Sequence, residues 1–281
     1  MSGCRVPNDV AQSVTLALAE DVGSGDITAA LVPAAITCRA TLVSREEAVV
    51  CGVPWATEVL EQIGGGRVKH RWLVRDGQHV GAGQTLAEFE GSAQALLTAE
   101  RTLLNFLQTL SATATETRRY VDAVAHTRAR ILDTRKTLPG LRAAQKYAVC
   151  VGGGHNHRFG LFDAVLIKEN HIVALGSVAA AVRAGRSQGH AVEVEVETLA
   201  ELTEALDAGA ETVLLDNFSL DDIRTAVALV AGRAKIEVSG GVTLASVVEV
   251  AETGVDFISV GALTKNIRAV DLSLRFVFPV Q

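Results

Sequence analysis

Apolar positions in the second half of the chain come in short, regularly spaced blocks. Nearly continuous apolar runs begin near Ala191 (AVEVEV), Thr212 (TVLLDN), Lys235 (KIEVSG) and Asp256 (DFISVG), with start-to-start gaps of 21, 23 and 21 residues. Between them the apolar positions switch to helical spacing over 200–207, 220–230 and 244–252. Two earlier blocks, ARILDT at 129–134 and AVLIKE at 164–169, extend the series. Such strands, alternating with helices, predict a parallel sheet covered on its outer face. The near-constant period predicts a barrel, complete or partial. No G-x-G-x-x-G opens a helix after a strand, which weakens a dinucleotide-binding alternative.

The first half reads as α+β. Val10, Val14, Ala17 and Leu18 follow helical spacing, with Asp9 placed to cap them. Strand-like runs at 40–43, 48–53, 68–74 and 85–89 are separated by Gly64-Gly65-Gly66, Asp76-Gly77 and Gly81-Ala82-Gly83. Residues 93–125 form one long helical pattern, or two helices broken near Ser111. Arg101 borders the leucine stripe of that pattern. Spacing alone favours an arginine snorkelling from a packed helix over one held in a cleft or interface.

Composition narrows the class. The 281 residues carry 26 Lys and Arg against 32 Asp and Glu, a net charge of −6, which disfavours a general nucleic-acid or membrane-surface binder. A hydrophobic share of 48% excludes disorder as the dominant state. Aromatics are only 4%, so small aliphatic side chains must fill the core, as thin βα layers require. Four cysteines without a C-x-x-C pair point to a reducing compartment, hence the cytoplasm. No apolar run approaches a membrane span, and Met1–Asp9 lacks a signal pattern. The average charge conceals an island, however. Between 135 and 168 stand Arg135, Lys136, Arg142, Lys146, Arg158 and Lys168 against the single acid Asp163, a local +5.

In barrels the reactive groups sit at the C-terminal ends of strands. Here those ends carry Arg135-Lys136, Lys168-Glu169-Asn170-His171, Glu197, Asp216-Asn217, Ser239-Gly240-Gly241 and Gly261-Ala262. One polar strand end is an ordinary helix cap; six in phase predict an active face. The cations Arg135, Lys136, Arg158 and Lys168 imply a polyanionic ligand. Glu197 and Asp216 could hold a divalent cation with phosphate oxygens, or stabilise positive charge on a sugar carbon. Glu193, Glu195 and Glu197 share one side of their strand, and three unpaired interior acids would be expensive, so cationic partners are expected. The glycine elements suit phosphate, through backbone N–H groups and helix N-termini. The pair His155-x-His157 has the residue types of a barrel metallohydrolase site, but Arg158 beside it would repel a divalent ion.

The segment DTRKTLPGLRAAQKYAVCVGGGHNHRFGLFDAVLIKENHI resembles the quinolinate phosphoribosyltransferase family. The likeness continues through EVEVET, LLDNF, EVSGGV and DFISVGALTK, and back through LTAERTLLNFLQTLS and EDVGSGDIT. It implies an α/β fold: an N-terminal open α/β sandwich domain (1–112, with 268–281 packing back on it) and a C-terminal incomplete seven-stranded α/β barrel (113–267). The implied reaction joins quinolinate to phosphoribosyl pyrophosphate, releasing nicotinate mononucleotide, pyrophosphate and carbon dioxide on the route to NAD. The family's quinolinate-binding cations fall on Arg135, His157, Arg158 and Lys168, with Lys136 close by. Arg101 matches an arginine contributed by a neighbouring subunit of a homodimer, which reverses the reading from spacing. Glu197 and Asp216 match carboxylates near the ribose and Mg²⁺, so Lys136, Lys168, Glu197 and Asp216 form the expected catalytic set. Ser239, Gly240, Gly241, Gly261 and Ala262 match the 5′-phosphate cradle. A relative acting on nicotinate, or a silent barrel that binds a phosphorylated metabolite, are the alternatives. The density of cations argues against the first, and the intact carboxylates against the second.

Overall fold

A computed structural model describes residues 4–279; positions 1–3 and 280–281 of the expected domain ranges lie outside these. The chain divides into two compact units. The first comprises the residues up to Arg118, Leu138–Gly153 and the stretch from Asn266 onward; the second comprises Arg119–Thr137 and Gly154–Lys265.

The first unit contains α1 (Val10–Val22), β1 (Thr37–Ser44), β2 (Ala48–Val49), α2 (Val53–Gly64), β3 (Val68–Trp72), β4 (His79–Val80), β5 (Thr85–Ser92) and the start of α3 (Ala93–Ala123). The helix α4 (Arg142–Val151) and a closing strand, Leu272–Val277, also belong to it. Four strands make an antiparallel sheet in the order Leu272–Val277, β1, β5, β3. The short pair β2 and β4 stands apart. Trp55 is fully buried, with Phe106 and Tyr147 ring centroids 6.5 and 5.6 Å away. Asp9 occupies the N-cap position of α1, but its side chain makes no capping hydrogen bond. The helix α3 runs unbroken through Ser111. A serine interrupts a helix when its hydroxyl competes for local backbone groups. The Ser111 hydroxyl is instead engaged by the backbone N–H and C=O of Cys51, at 2.9 and 3.1 Å.

The second unit is a series of βα units: β6 (Arg130–Leu132), β7 (Val165–Ile167), α5 (Glu169–Leu175), α6 (Val178–Arg186), β8 (Val192–Val196), α7 (Leu199–Asp207), β9 (Thr212–Asp216), α8 (Leu220–Val230), β10 (Lys235–Ser239), α9 (Val247–Glu252), β11 (Phe257–Ser259) and α10 (Ala262–Lys265). All six strands are parallel, in the order β6-β11-β10-β9-β8-β7. His155 adds a seventh place through a parallel bridge to Leu132, so the expected seventh strand is reduced to a single residue. Among the described residues no ladder joins that place to β7, and the barrel is open there. In β8 the period of two is decisive. Val192, Val194 and Val196 are buried, with α6 and α7 against the strand, while Glu193 and Glu195 face the other side. Thr198 and Ser219 cap α7 and α8 by accepting the Glu201 and Asp222 N–H groups. Aliphatic residues such as Val213, Leu215, Ile223 and Ile258 supply the buried surface, as the low aromatic content requires. Among the described residues no helix is long and apolar enough to cross a membrane.

Candidate active site

Parallel strands bring their C-terminal ends to one side, and Lys136, Lys168, Glu197 and Asp216 stand at or just past those ends. His157 Nε2 lies 2.7 Å from Glu193 Oε2, both side chains being 13% exposed. Lys168 Nζ pairs with Glu195. Both glutamates on the inner face of β8 thus have a basic partner, the His157 ring for Glu193 and the Lys168 ammonium for Glu195. Arg158 is half-buried and its Nη1 donates to the Ala164 carbonyl at 3.4 Å. Burial and the charge of Arg135 hold its guanidinium below the ordinary arginine value, against the opposing pull of Asp163 and Glu193.

The segment that carries His157 is fixed by Asp133, a fully buried carboxylate just past β6. Its oxygens accept the His157 backbone N–H at 2.9 Å and the Asn156 side-chain amide at 2.6 Å. Backbone bonds from His155 to Ile131 and from Asp133 to His155 hold the same stretch. His155 itself is exposed on its bridge, and burial, then Arg130, lower its pKa. Among the described residues the one group of potential ligands close enough to share an ion is His157, Glu193 and Glu237, without His155. The H-x-H spacing therefore does not build a two-histidine metal site. His171, at the end of the Lys168-Glu169-Asn170-His171 run, accepts the Lys168 N–H through Nδ1 at 2.9 Å and closes the first turn of α5.

On the other strands, Lys136 is exposed in the loop after β6, its N–H held by Thr134 Oγ1 at 3.1 Å and its carbonyl by the Thr264 hydroxyl at 2.8 Å. Its stem lies over Gly261, where an added Cβ would come 3.1 Å from Lys136 Cδ. Ala262 begins α10 directly after this glycine. Glu197 is exposed past the end of β8, and its N–H is held by Glu201 Oε2 at 2.8 Å. Asp216 Oδ1 accepts the Ser239 hydroxyl at 2.6 Å and Oδ2 accepts the Asn217 amide at 2.9 Å. Each oxygen keeps a further lone pair. Arg101 lies in the first unit, exposed on α3. Arg142 and Lys146 also belong to the first unit, on α4, and Lys146 is buried. Of the charge island, the second unit therefore holds Arg135, Lys136, Arg158 and Lys168.

The glycine cradle differs from expectation. Helix α9 starts at Val247 rather than 244, because Thr243 and Ser246 form a hydrogen-bonded turn first. Ser239-Gly240-Gly241 is thus a free-standing loop, not a helix N-terminus. Its glycines sit at φ +93° and +61°. At Gly240 a Cβ would lie 2.2 Å from Asn217 Oδ1. Gly240→Ala is expected to cost about 1–3 kcal/mol, read from urea unfolding. Gly232→Ala, at φ +79° with nothing within 4 Å, is the control that isolates the clash from the backbone strain.

Three residues of this face lie outside the pattern of polar strand ends. Asp133, Glu237 and Ser259 are buried, and each sits in or beside a strand that otherwise reads as apolar. An acid inside such a run, as in KIEVSG, was the available clue.

Parallel βα units with cations, carboxylates and glycine turns gathered at the strand ends define an α/β-barrel enzyme that handles a polyanionic substrate. The models of the quinolinate phosphoribosyltransferase N-terminal and C-terminal domains match residues 26–111 and 113–275. The chain belongs to the quinolinate phosphoribosyltransferase family. It is 46% identical over 272 residues to a nicotinate-nucleotide pyrophosphorylase (carboxylating) of Mycobacterium leprae, covering 93% of this chain and 95% of that one. A probable nicotinate-nucleotide pyrophosphorylase (carboxylating) of Bacillus subtilis is 41% identical over 258 residues, covering 91% and 89%. The solved structure of the nicotinate-nucleotide pyrophosphorylase from Francisella tularensis superposes with a TM-score of 0.94 at 49% identity, covering 97% and 98%.

Proposed function

We propose that this protein transfers phosphoribosyl from phosphoribosyl pyrophosphate to quinolinate with loss of carbon dioxide, giving nicotinate mononucleotide and pyrophosphate for NAD synthesis. The observation that carries the reading is the adjacency of Arg158 and Arg135 beside His157 and Lys168 at the strand ends. A dicarboxylate needs that density of positive charge; a monocarboxylate does not. In this reading Arg135, His157, Arg158 and Lys168 bind and orient quinolinate. Glu197 and Asp216 face the positive charge that builds on the sugar carbon as pyrophosphate departs. Lys136, over Gly261, neutralises phosphate. The Ser239-Gly240-Gly241 loop, with Gly261 and Ala262, cradles the 5′-phosphate through backbone N–H groups.

The donor set suits Mg²⁺. Glu197 and Asp216 supply only two hard carboxylates, and Mg²⁺ prefers few protein ligands plus water and substrate phosphates. When bound, the ion would neutralise the leaving pyrophosphate. Four sparse cysteines without a C-x-x-C pair fit a reducing, cytoplasmic setting.

Incubation with phosphoribosyl pyrophosphate, Mg²⁺ and either quinolinate or nicotinate tests the reading. Quinolinate should be consumed with one carbon dioxide per nucleotide, and chelation of Mg²⁺ should stop it. Turnover of nicotinate with none of quinolinate would sink the assignment. A homodimer with shared sites is part of the proposal and rests on the family likeness at Arg101. Arg101→Ala and Arg135→Ala should each be inactive alone and partly active after subunit exchange. No recovery in exchanged mixtures would count against shared sites.

A further inference from the structure

Beneath His157 the inner face of the barrel holds two carboxyl groups from different strands, with the His157 ring edge 2.7 Å from one and 3.7 Å from the other. Glu193 projects from β8 and Glu237 from β10, where it is 2% exposed. One ligand atom each from His157, Glu193 and Glu237 falls within 4.8 Å of the others. Ser259 of β11 donates its hydroxyl to Glu237 Oε1 at 2.5 Å, and His157 Nε2 is 3.7 Å from that same oxygen. Glu193 Oε2 faces His157 Nε2, while Glu193 Oε1 is buried and meets no hydrogen-bond donor among the described residues. Two ionised carboxylates so placed would repel each other, and a buried acceptor without a donor is costly. A single proton resolves both problems if Glu237 carries it toward Glu193.

We propose that Glu237 is a positioning residue: protonated, it donates to Glu193, keeps Glu193 an acceptor only, and so fixes Nε2 of His157 as the ring's donor nitrogen. The groups around Glu237 bear on this, His157 at 3.7 Å among them. Glu193 from β8 and Asp133 beyond β6 are acids, and Ser259 is a donor that Oε1 absorbs. Burial, and then the Glu193 charge, push the Glu237 carboxyl well above the ordinary glutamate value of 4.5. The consequence for binding rests on the quinolinate reading above. A histidine with its tautomer and ring plane set from below presents its outer edge to a substrate carboxylate in one orientation only.

The test separates the pair from the substrate assignment. In protein labelled with ¹⁵N-histidine and free of substrate, the His157 ring should show a protonated Nε2 at neutral pH. Glu237→Gln keeps a donor and should retain this signature; Glu237→Leu removes the donor and should lose it. With quinolinate, Glu237→Leu should raise KM by about tenfold, one decade of affinity, with kcat little changed, and Glu237→Gln should recover most of that loss. Thermal unfolding against pH gives a further readout. A carboxyl whose folded value is raised favours the folded state below its unfolded value, and that contribution disappears as pH climbs to the raised value. Wild type should therefore lose stability relative to Glu237→Gln as pH rises above about 4.5. An unprotonated Nε2 in wild type, a Glu237→Leu protein with unchanged tautomer and KM, or parallel stability profiles would each overturn the proposal. If the wild type shows the tautomer but never turns over quinolinate, the substrate reading fails and the proton-sharing pair stands.

Discussion

Replacing Arg158 with alanine is expected to lower kcat/KM for quinolinate by about a hundred- to a thousandfold while leaving the protein folded. Removing one partner of a hydrogen-bonded charge pair costs about 2–5 kcal/mol, and about 1.4 kcal/mol is a factor of ten. Asp163 and Glu193 offset the cost of holding this guanidinium only in part. Arg158 stands half-buried near Arg135, and the mutual repulsion and desolvation are already visible in its lowered pKa. Its hydrogen bond to the Ala164 carbonyl is long, at 3.4 Å. Thermal stability should therefore hold or rise slightly, as for a residue kept strained for its ligand. Arg158→Lys should fall between, because an ammonium keeps the charge but lacks the fork that grips a carboxylate with two parallel bonds. Steady-state kinetics on both variants, with melting curves, decide the matter. An unchanged KM for quinolinate in Arg158→Ala would remove this residue from the substrate site.

The sequence made some of this site legible and hid the rest for a physical reason. Glu193 and Glu195 announced themselves because their period of two put both on one face of a strand whose other residues are valine. The need for cations followed from burial cost alone, and His157 and Lys168 meet it. The helix over 220–230 was legible end to end because Ser219 stands before it and accepts the Asp222 N–H. Failures arose where a side chain's partner is distant in the chain. Ser111 looks like a helix breaker until Cys51, 60 residues away, occupies its hydroxyl. Glu237 stands as a lone acid in the middle of an apolar strand until the strand order sets β10 beside β11, with Ser259 against it. Gly240 and Gly241 mark a turn suited to phosphate after β10. The length of that turn depends on Thr243 and Ser246, whose mutual hydrogen bonds delay the helix. Local pattern carries the element and the face it presents; the pairing across the sheet decides what a polar residue on that face is for.

Asp133→Ala is expected to cost about 1–3 kcal/mol of stability: of the two donors it holds, the His157 N–H lies in a half-buried residue, while the exposed Asn156 amide can turn to water. The donors are the His157 backbone N–H and the Asn156 amide, which Asp133 accepts at 2.9 and 2.6 Å. The effect reaches the site because this stretch is held in the sheet by a single-residue bridge at His155 rather than by a full strand. Without the carboxylate, His157 loses its backbone anchor while its ring is still drawn to Glu193. Quinolinate KM should rise by more than about tenfold, over a decade of binding free energy. Asp133→Asn tests the directionality. Its amide oxygen can still accept from His157, but its NH₂ then faces the NH₂ of Asn156. The double variant Asp133→Asn with Asn156→Asp restores a donor opposite an acceptor, so its stability should exceed the sum of the two single losses by about 1 kcal/mol or more. Urea unfolding of the four proteins measures that coupling. A stable Asp133→Ala protein with normal KM would show that the backbone bonds of His155 suffice to hold the segment.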